Sequence, residues 1–151
     1  MTNYIKWTIL VFLFPFFCRG QSPELKFKKI GFAQGLSNLW VDAIVQDYKG
    51  FIWIATRNGL NRYDGSQIKV YRHIESDSNS LSDNVICCIF EDSKHNLWVG
   101  TANGLNRLNR NTDSFVIYKN QNNNPNSIGS NCINSISEDG SDNSWVATTG
   151  G

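Results

Sequence analysis

Between residues 41 and 72, apolar and polar positions fall into four short runs separated by turn signals. Val41–Gln46 (VDAIVQ), Phe51–Thr56, Leu60–Tyr63 and Ile68–Arg72 are too short for helices and rich in β-branched and aromatic residues, which predicts four strands. Asp47-Tyr48-Lys49-Gly50, Asn58-Gly59 and Asp64-Gly65 supply the turns, because Asn-Gly and Asp-Gly tolerate the positive φ that tight hairpins require. Phe51–Ala55 is apolar without alternation, the pattern of a strand covered on both faces. No stretch beyond residue 20 sustains a 3.6-residue period, so helix is expected to be minor.

The pattern then returns. Gly50–Gly65 (GFIWIATRNGLNRYDG) is echoed at Asn96–Asn109 (NLWVGTANGLNRLN) and begins again at Asn143–Gly151 (NSWVATTGG). Counted from Gly35, Ser80 and Ser127, an acidic residue follows after twelve positions (Asp47, Asp92, Asp139) and a tryptophan six later (Trp53, Trp98, Trp145). Gly59, Gly104 and Gly151 stand six beyond each tryptophan. This divides the chain into a lead-in at 21–34, repeats at 35–79 and 80–126, and the opening of a third at 127–151. The second repeat is two residues longer than the first, and the excess falls in one loop, Asn109–Ser114, read here as a surface loop that absorbs insertion cheaply. Four hairpin-linked strands per repeat predict an all-β, incomplete β-propeller: two four-stranded blades plus the start of a third. Phe27–Ile30 in the lead-in reads as a short strand that could close a ring.

Charge and composition narrow the function. Lys6 followed by Trp7–Phe17 (WTILVFLFPFF) and Cys18-Arg19-Gly20 reads as a signal peptide over residues 1–20. The apolar run is shorter than the roughly 20 residues of a membrane span and contains Pro15. The remainder has 12 basic and 13 acidic residues, which excludes the basic footprint of a nucleic-acid binder. Cys87, Cys88 and Cys132 are an odd set and no disulfide framework. A bridge from one of the first two to Cys132 stays open, and strand alternation would point Cys87 and Cys88 to opposite faces. His73 and His95 lack ligand spacing to a cysteine, and no Asp/Asn-rich loop has calcium spacing, so neither metal nor cofactor is expected.

GLSNLWVDAIVQDYKGFIWIATRNGLNRYDG resembles the two-component regulator propeller repeat, with its Gly-Leu-Ser start, its Asp before a Gly-aromatic-Trp strand and its Gly-Leu-Asn-Arg-Tyr-Asp turn. In the second repeat Leu108 and Asn109 replace the Tyr and Asp; in the third Ser144 replaces an apolar residue. The resemblance implies a non-catalytic periplasmic sensor region of a Bacteroidetes-type hybrid two-component histidine kinase, responding to glycan fragments and controlling polysaccharide-utilisation genes. It implies a parent anchored in the inner membrane, with further blades and a kinase as partners and room for a dimer. A propeller of two blades and a partial third leaves apolar faces and strand edges open, so the chain is expected to be a fragment prone to aggregation. Two alternatives remain: a free-standing exported glycan-binding propeller, and a fragment of a propeller polysaccharide lyase or glycosidase.

Recurrent residues have structural readings. Trp53, Trp98 and Trp145 are expected to pack between blades, and Asp47, Asp92 and Asp139 to cap hairpin turns rather than act as acids or bases. Gly59 and Gly104 serve the turns. Ligand contact is sought where the copies differ: Trp40 (against Val85 and Cys132), Tyr48 (against Ser93 and Gly140) and Arg57 (against Ala102 and Thr149).

Overall fold

The computed structural model describes residues 24–150; the expected export signal lies outside the described residues. Ten strands form in chain order: β1 Val41–Gln46, β2 Ile52–Thr56, β3 Gly59–Tyr63, β4 Ile68–Tyr71, β5 Ile86–Glu91, β6 Leu97–Thr101, β7 Gly104–Asn109, β8 Ser114–Tyr118, β9 Ile133–Glu138 and β10 Ser144–Thr148. They make antiparallel sheets in the order β1-β2-β3-β4 and β5-β6-β7-β8, followed by the β9-β10 hairpin. The architecture is that of consecutive propeller blades, and each strand lies within a residue or two of its sequence-derived position.

The innermost strands β1, β5 and β9 neighbour one another in succession without sharing a sheet. What joins the blades is therefore side-chain packing. Trp53, Ala55 and Leu60 of the first blade share a buried cluster with Ile86, Ile89 and Val99 of the second. Leu105, Phe90 and Trp98 of the second pack on Ile133 and Ile136 of the third. Burial at matching positions follows this order. Trp53 is fully buried beneath the second blade, Trp98 is half-buried, and Trp145 is 62% exposed on the last described hairpin. On the opposite blade face the sense reverses: Ile44 is 63% exposed, whereas Ile89 and Ile136 are 7% and 8% exposed. Each blade thus presents a tryptophan face forward and an isoleucine face backward.

Within a blade, an asparagine holds the start of the repeat. Asn61 Oδ1 accepts the Ser37 amide at 2.9 Å, and its Nδ2 donates to Ser37 Oγ, Ile54 O and Gly59 O. Asn106 does the same with Ser82, Val99 O and Gly104 O. This is the physical content of the Gly-Leu-Ser and Gly-Leu-Asn signatures: a fully buried amide whose donors and acceptor are all engaged. Gly59 and Gly104 have φ of 110° and 143°, and a Cβ at Gly59 would stand 2.5 Å from the Tyr71 carbonyl.

Two expectations need correction. Phe27–Ile30 forms no strand here: the segment is irregular and Phe27 is exposed, with Lys28 reaching the Tyr63 hydroxyl of the first blade. The loop read as a cheap insertion is no passive surface. Arg110 and Asp113, both within Asn109–Ser114, reach into the first blade.

Candidate functional site

Every inner strand carries a β-bulge near its start. Pairing skips one residue between Val41 and Ala43, between Ile86 and Cys88, and opposite Ala147/Thr148 in the third blade. The bulged residues are Asp42, Cys87 and Asn134, chemically different at one structural position. A bulge re-aims a side chain and interrupts strict alternation, so the opposite-face expectation for Cys87 and Cys88 does not apply in its simple form. Both thiols are half-buried, and among the described residues Cys87, Cys88 and Cys132 are free. Burial pushes the Cys87 thiol up and the Cys88 thiol up to about 11, which leaves both poor nucleophiles.

The loop before each inner strand is built alike. Asn38 Oδ1 accepts the Trp40 amide at 2.7 Å, and Asp83 Oδ1 accepts the Val85 amide at 2.7 Å. This local turn presents Trp40 beside the bulge. Trp40 Nε1 donates to Asp42 Oδ1 at 3.1 Å, the Arg57 guanidinium lies 4.1 Å from the Trp40 ring centroid, and Arg57 Nε stands 3.7 Å from Asp42 Oδ2. Trp40 and Arg57, selected because they break the repeat, thus come together, and Asp42 joins them. Trp40 remains 58% exposed. An indole edge, a carboxylate and a guanidinium on one rim can hydrogen-bond and stack on a polar ring-bearing ligand. Asp42 was missed because mid-strand positions are read as alternating; the bulge is what exposes its chemistry.

Tyr48 stands apart from that cluster, in the turn at the other end of β1. It stacks on His95 of the second blade with centroids 4.2 Å apart and planes at 21°, and the Arg110 guanidinium lies 5.0 Å from its ring. Its amide donates to Glu91 Oε2 at 2.9 Å, and the same tie recurs one blade on, where the Ser93 amide donates to Glu138 Oε2 at 2.8 Å.

The recurrent aspartates bind their own turns. Asp47 Oδ1 accepts the Lys49 and Phe51 amides at 3.0 Å each, and Oδ2 accepts Trp53 Nε1 at 2.8 Å. Asp92 and Asp139 repeat this arrangement toward Trp98 and Trp145. Burial pushes the Asp47 carboxyl up. Hydrogen bonds from Trp53, Arg110 and the Phe51 amide, with the Arg110 charge, outweigh it and hold the group below the usual carboxylate range. Acids held ionised this way have no proton to donate near neutral pH. Among the described residues no group of three or more His, Cys, Asp or Glu could hold a metal ion.

Comparison with known proteins gives these features a context. The sequence pattern of the two component regulator propeller family matches residues 35–58 and 80–103. Over 83 residues, or 54% of the chain, the sequence is 39% identical to Histidine kinase P4 of Formosa agariphila, of which it spans 6%. The fold is similar to a solved extracellular domain assigned to the hybrid two component system BT3049 from B. thetaiotaomicron, with TM-score 0.73 and 32% identity over 80% of this chain and 17% of that one. A second such domain, of BT4673 from the same organism, matches with TM-score 0.61 and 29% identity over 72% of this chain and 15% of its own. The chain therefore spans only a small part of each relative. Its first two Asp–Trp hairpins and its buried asparagine clamps lie within or beside the two stretches that match the two component regulator propeller pattern, and in fold the chain resembles extracellular domains of hybrid two component systems.

Proposed function

We propose that the chain is the extracytoplasmic sensory propeller region of a hybrid two-component histidine kinase, that it acts by binding oligosaccharide fragments rather than by catalysis, and that binding is relayed to a kinase regulating polysaccharide-utilisation genes. The observation that carries this reading is the likeness, at 32% identity, to an extracellular domain of a hybrid two component system. The Trp40–Asp42–Arg57 rim supports a saccharide as ligand: an exposed aromatic ring with a flanking carboxylate and guanidinium offers stacking and directional hydrogen bonds to a sugar ring. Among the described residues no helix is long and apolar enough to cross a membrane.

The test is calorimetric titration of the full chain with neutral and acidic oligosaccharides, alongside Trp40→Ala. Binding of a saccharide that falls at least about tenfold in the variant supports the proposal. Absence of saccharide binding, or equal binding by the variant, overturns it.

A further inference from the structure

The junction between the first and second blades carries chemistry that the next junction lacks. Three residues after each hairpin aspartate the backbone turns left-handed: Gly50 has φ 86°, His95 φ 62° and Asp142 φ 62°. Glycine adopts this conformation freely, whereas a side chain held there is strained, and such strain concentrates where the side chain has work to do. His95 sits in that conformation with its ring against Tyr48. One blade on, the equivalent pair is Ser93 and Asp142, and Asp142 lies 3.8 Å from Lys94. The second junction thus places a carboxylate beside its turn lysine. In the first, the equivalent lysine, Lys49, has no carboxylate partner among the described residues and lies against the Tyr48 ring.

Arg107 is in the same situation, with its guanidinium 5.7 Å from the Trp98 ring centroid and no carboxylate partner among the described residues. The nearby acids Asp47 and Glu91 are both held by Arg110, at 2.7 and 2.9 Å. These groups line one cleft of about 530 Å³, bounded by Tyr48, Lys49, Lys94, His95, Arg107 and Asn109. That volume falls within the roughly 300–1,000 Å³ of small-ligand sites.

We propose that this cleft binds the acidic group of a charged oligosaccharide, a sulfate or a uronate carboxylate, between Lys49 and Arg107, with the Tyr48–His95 stack as its wall. Two cations without a carboxylate partner among the described residues supply the attraction, and the guanidinium adds the planar fork that matches such oxyanions. The Asn109 amide serves the neighbouring hydroxyls. This assignment rests on the saccharide-sensing reading above but uses a site separate from the Trp40 rim.

The experiment titrates the full chain with a hexagalacturonate, a chondroitin sulfate hexasaccharide, neutral maltohexaose and hexaglutamate, comparing wild type with Lys49→Gln, Arg107→Gln, His95→Gly, Trp40→Ala and a distant control, Lys28→Gln. The expected result is that an acidic saccharide binds and that Lys49→Gln and Arg107→Gln each weaken it about tenfold. His95→Gly should weaken binding while keeping or raising the thermal unfolding midpoint, because the substitution relieves the left-handed backbone. Equal binding by the cleft variants, an equal loss in Lys28→Gln, or equal binding of hexaglutamate would each overturn the proposal. Binding of maltohexaose that depends only on Trp40 would overturn it and leave the sensing reading standing; no saccharide binding at all would remove both.

Discussion

Arg110 on the second blade places Nη1 2.7 Å from Oδ2 of Asp47 on the first, the same carboxylate oxygen that receives the Trp53 indole. One residue of a lengthened hairpin therefore completes the coordination of a buried turn acid 63 positions earlier. The Asp47 side chain is fully buried and that of Arg110 partly so. Glu91, on the second blade, takes the other guanidinium nitrogen at 2.9 Å. Removing one member of such a set leaves a buried charge without its partner, which costs more than the pair itself contributes.

Arg110→Ala should accordingly lower stability by about 2 kcal/mol in urea unfolding, with Asp47→Ala at least as damaging. Asp92→Ala should cost less, because Asp92 has its turn amides, Asn96 and Trp98 but no guanidinium among the described residues. Equal costs at Asp47 and Asp92 would show that Arg110 contributes nothing to blade cohesion.

The same carboxylates set the response to acid. Burial raises the carboxyls of Asp47, Asp92 and Asp113, but hydrogen bonds from their partners outweigh it, and all three lie below the ordinary value. A depressed folded value means that the stabilisation is complete above the unfolded carboxylate pKa, about 3.9, and is lost as pH falls toward the lower folded values. Tryptophan fluorescence should therefore report a stability that holds from neutral pH to about 4 and then declines. Asp47→Asn should be less stable at pH 7 yet show a shallower decline below pH 4. An unchanged slope would remove Asp47 from the account.

Equivalent residues should differ sharply in what their removal costs. Ile44 and Ile89 hold the same place in successive blades, but Ile44 is exposed and Ile89 is packed beneath the first blade's cluster. Ile89→Ala should cost about 2–4 kcal/mol, and Ile44→Ala less than about 0.5. Similar losses at both positions, measured by denaturant unfolding of the full chain, would mean that the exposed face is covered in solution.

The strands and their hairpins were legible because each repeat states them twice: apolar runs of strand length, and turns written as Asn-Gly or Asp-Gly. Comparison of copies separated Trp40 and Arg57 from the scaffold, and they do meet. Three things could not be read. The bulge at Asp42 depends on how two strands pair, not on the composition of either. The inter-blade reach of Arg110 and Asp113 depends on blade geometry, and a six-residue polar loop gives no hint of it. His95 occupies a position where the first repeat has Gly50, a signal that was present but gains meaning only once the left-handed backbone is known.

The buried asparagines offer a test in which sign and pH work together. Asn106 donates its Nδ2 hydrogens to Val99 O, Gly104 O and Ser82 Oγ while accepting from the Ser82 amide. Asn106→Ala would leave these buried partners unmet and should cost about 2–3 kcal/mol. Asn106→Asp keeps the shape but turns the donor side into an acceptor that faces two carbonyls. Burial and those carbonyls both disfavour the ionised form, so the folded state raises the new carboxyl's pKa above its unfolded value. Its folded state is then least disadvantaged when the carboxyl is protonated, and the penalty grows as pH rises past the unfolded value. Unfolding midpoints of Asn106→Asp relative to wild type should therefore fall between pH 4 and pH 7, a range over which those of Asp47→Asn stay level. A difference that stays constant over that range would mean that the introduced carboxylate reaches water, and that the amide clamp is looser than its hydrogen bonds indicate.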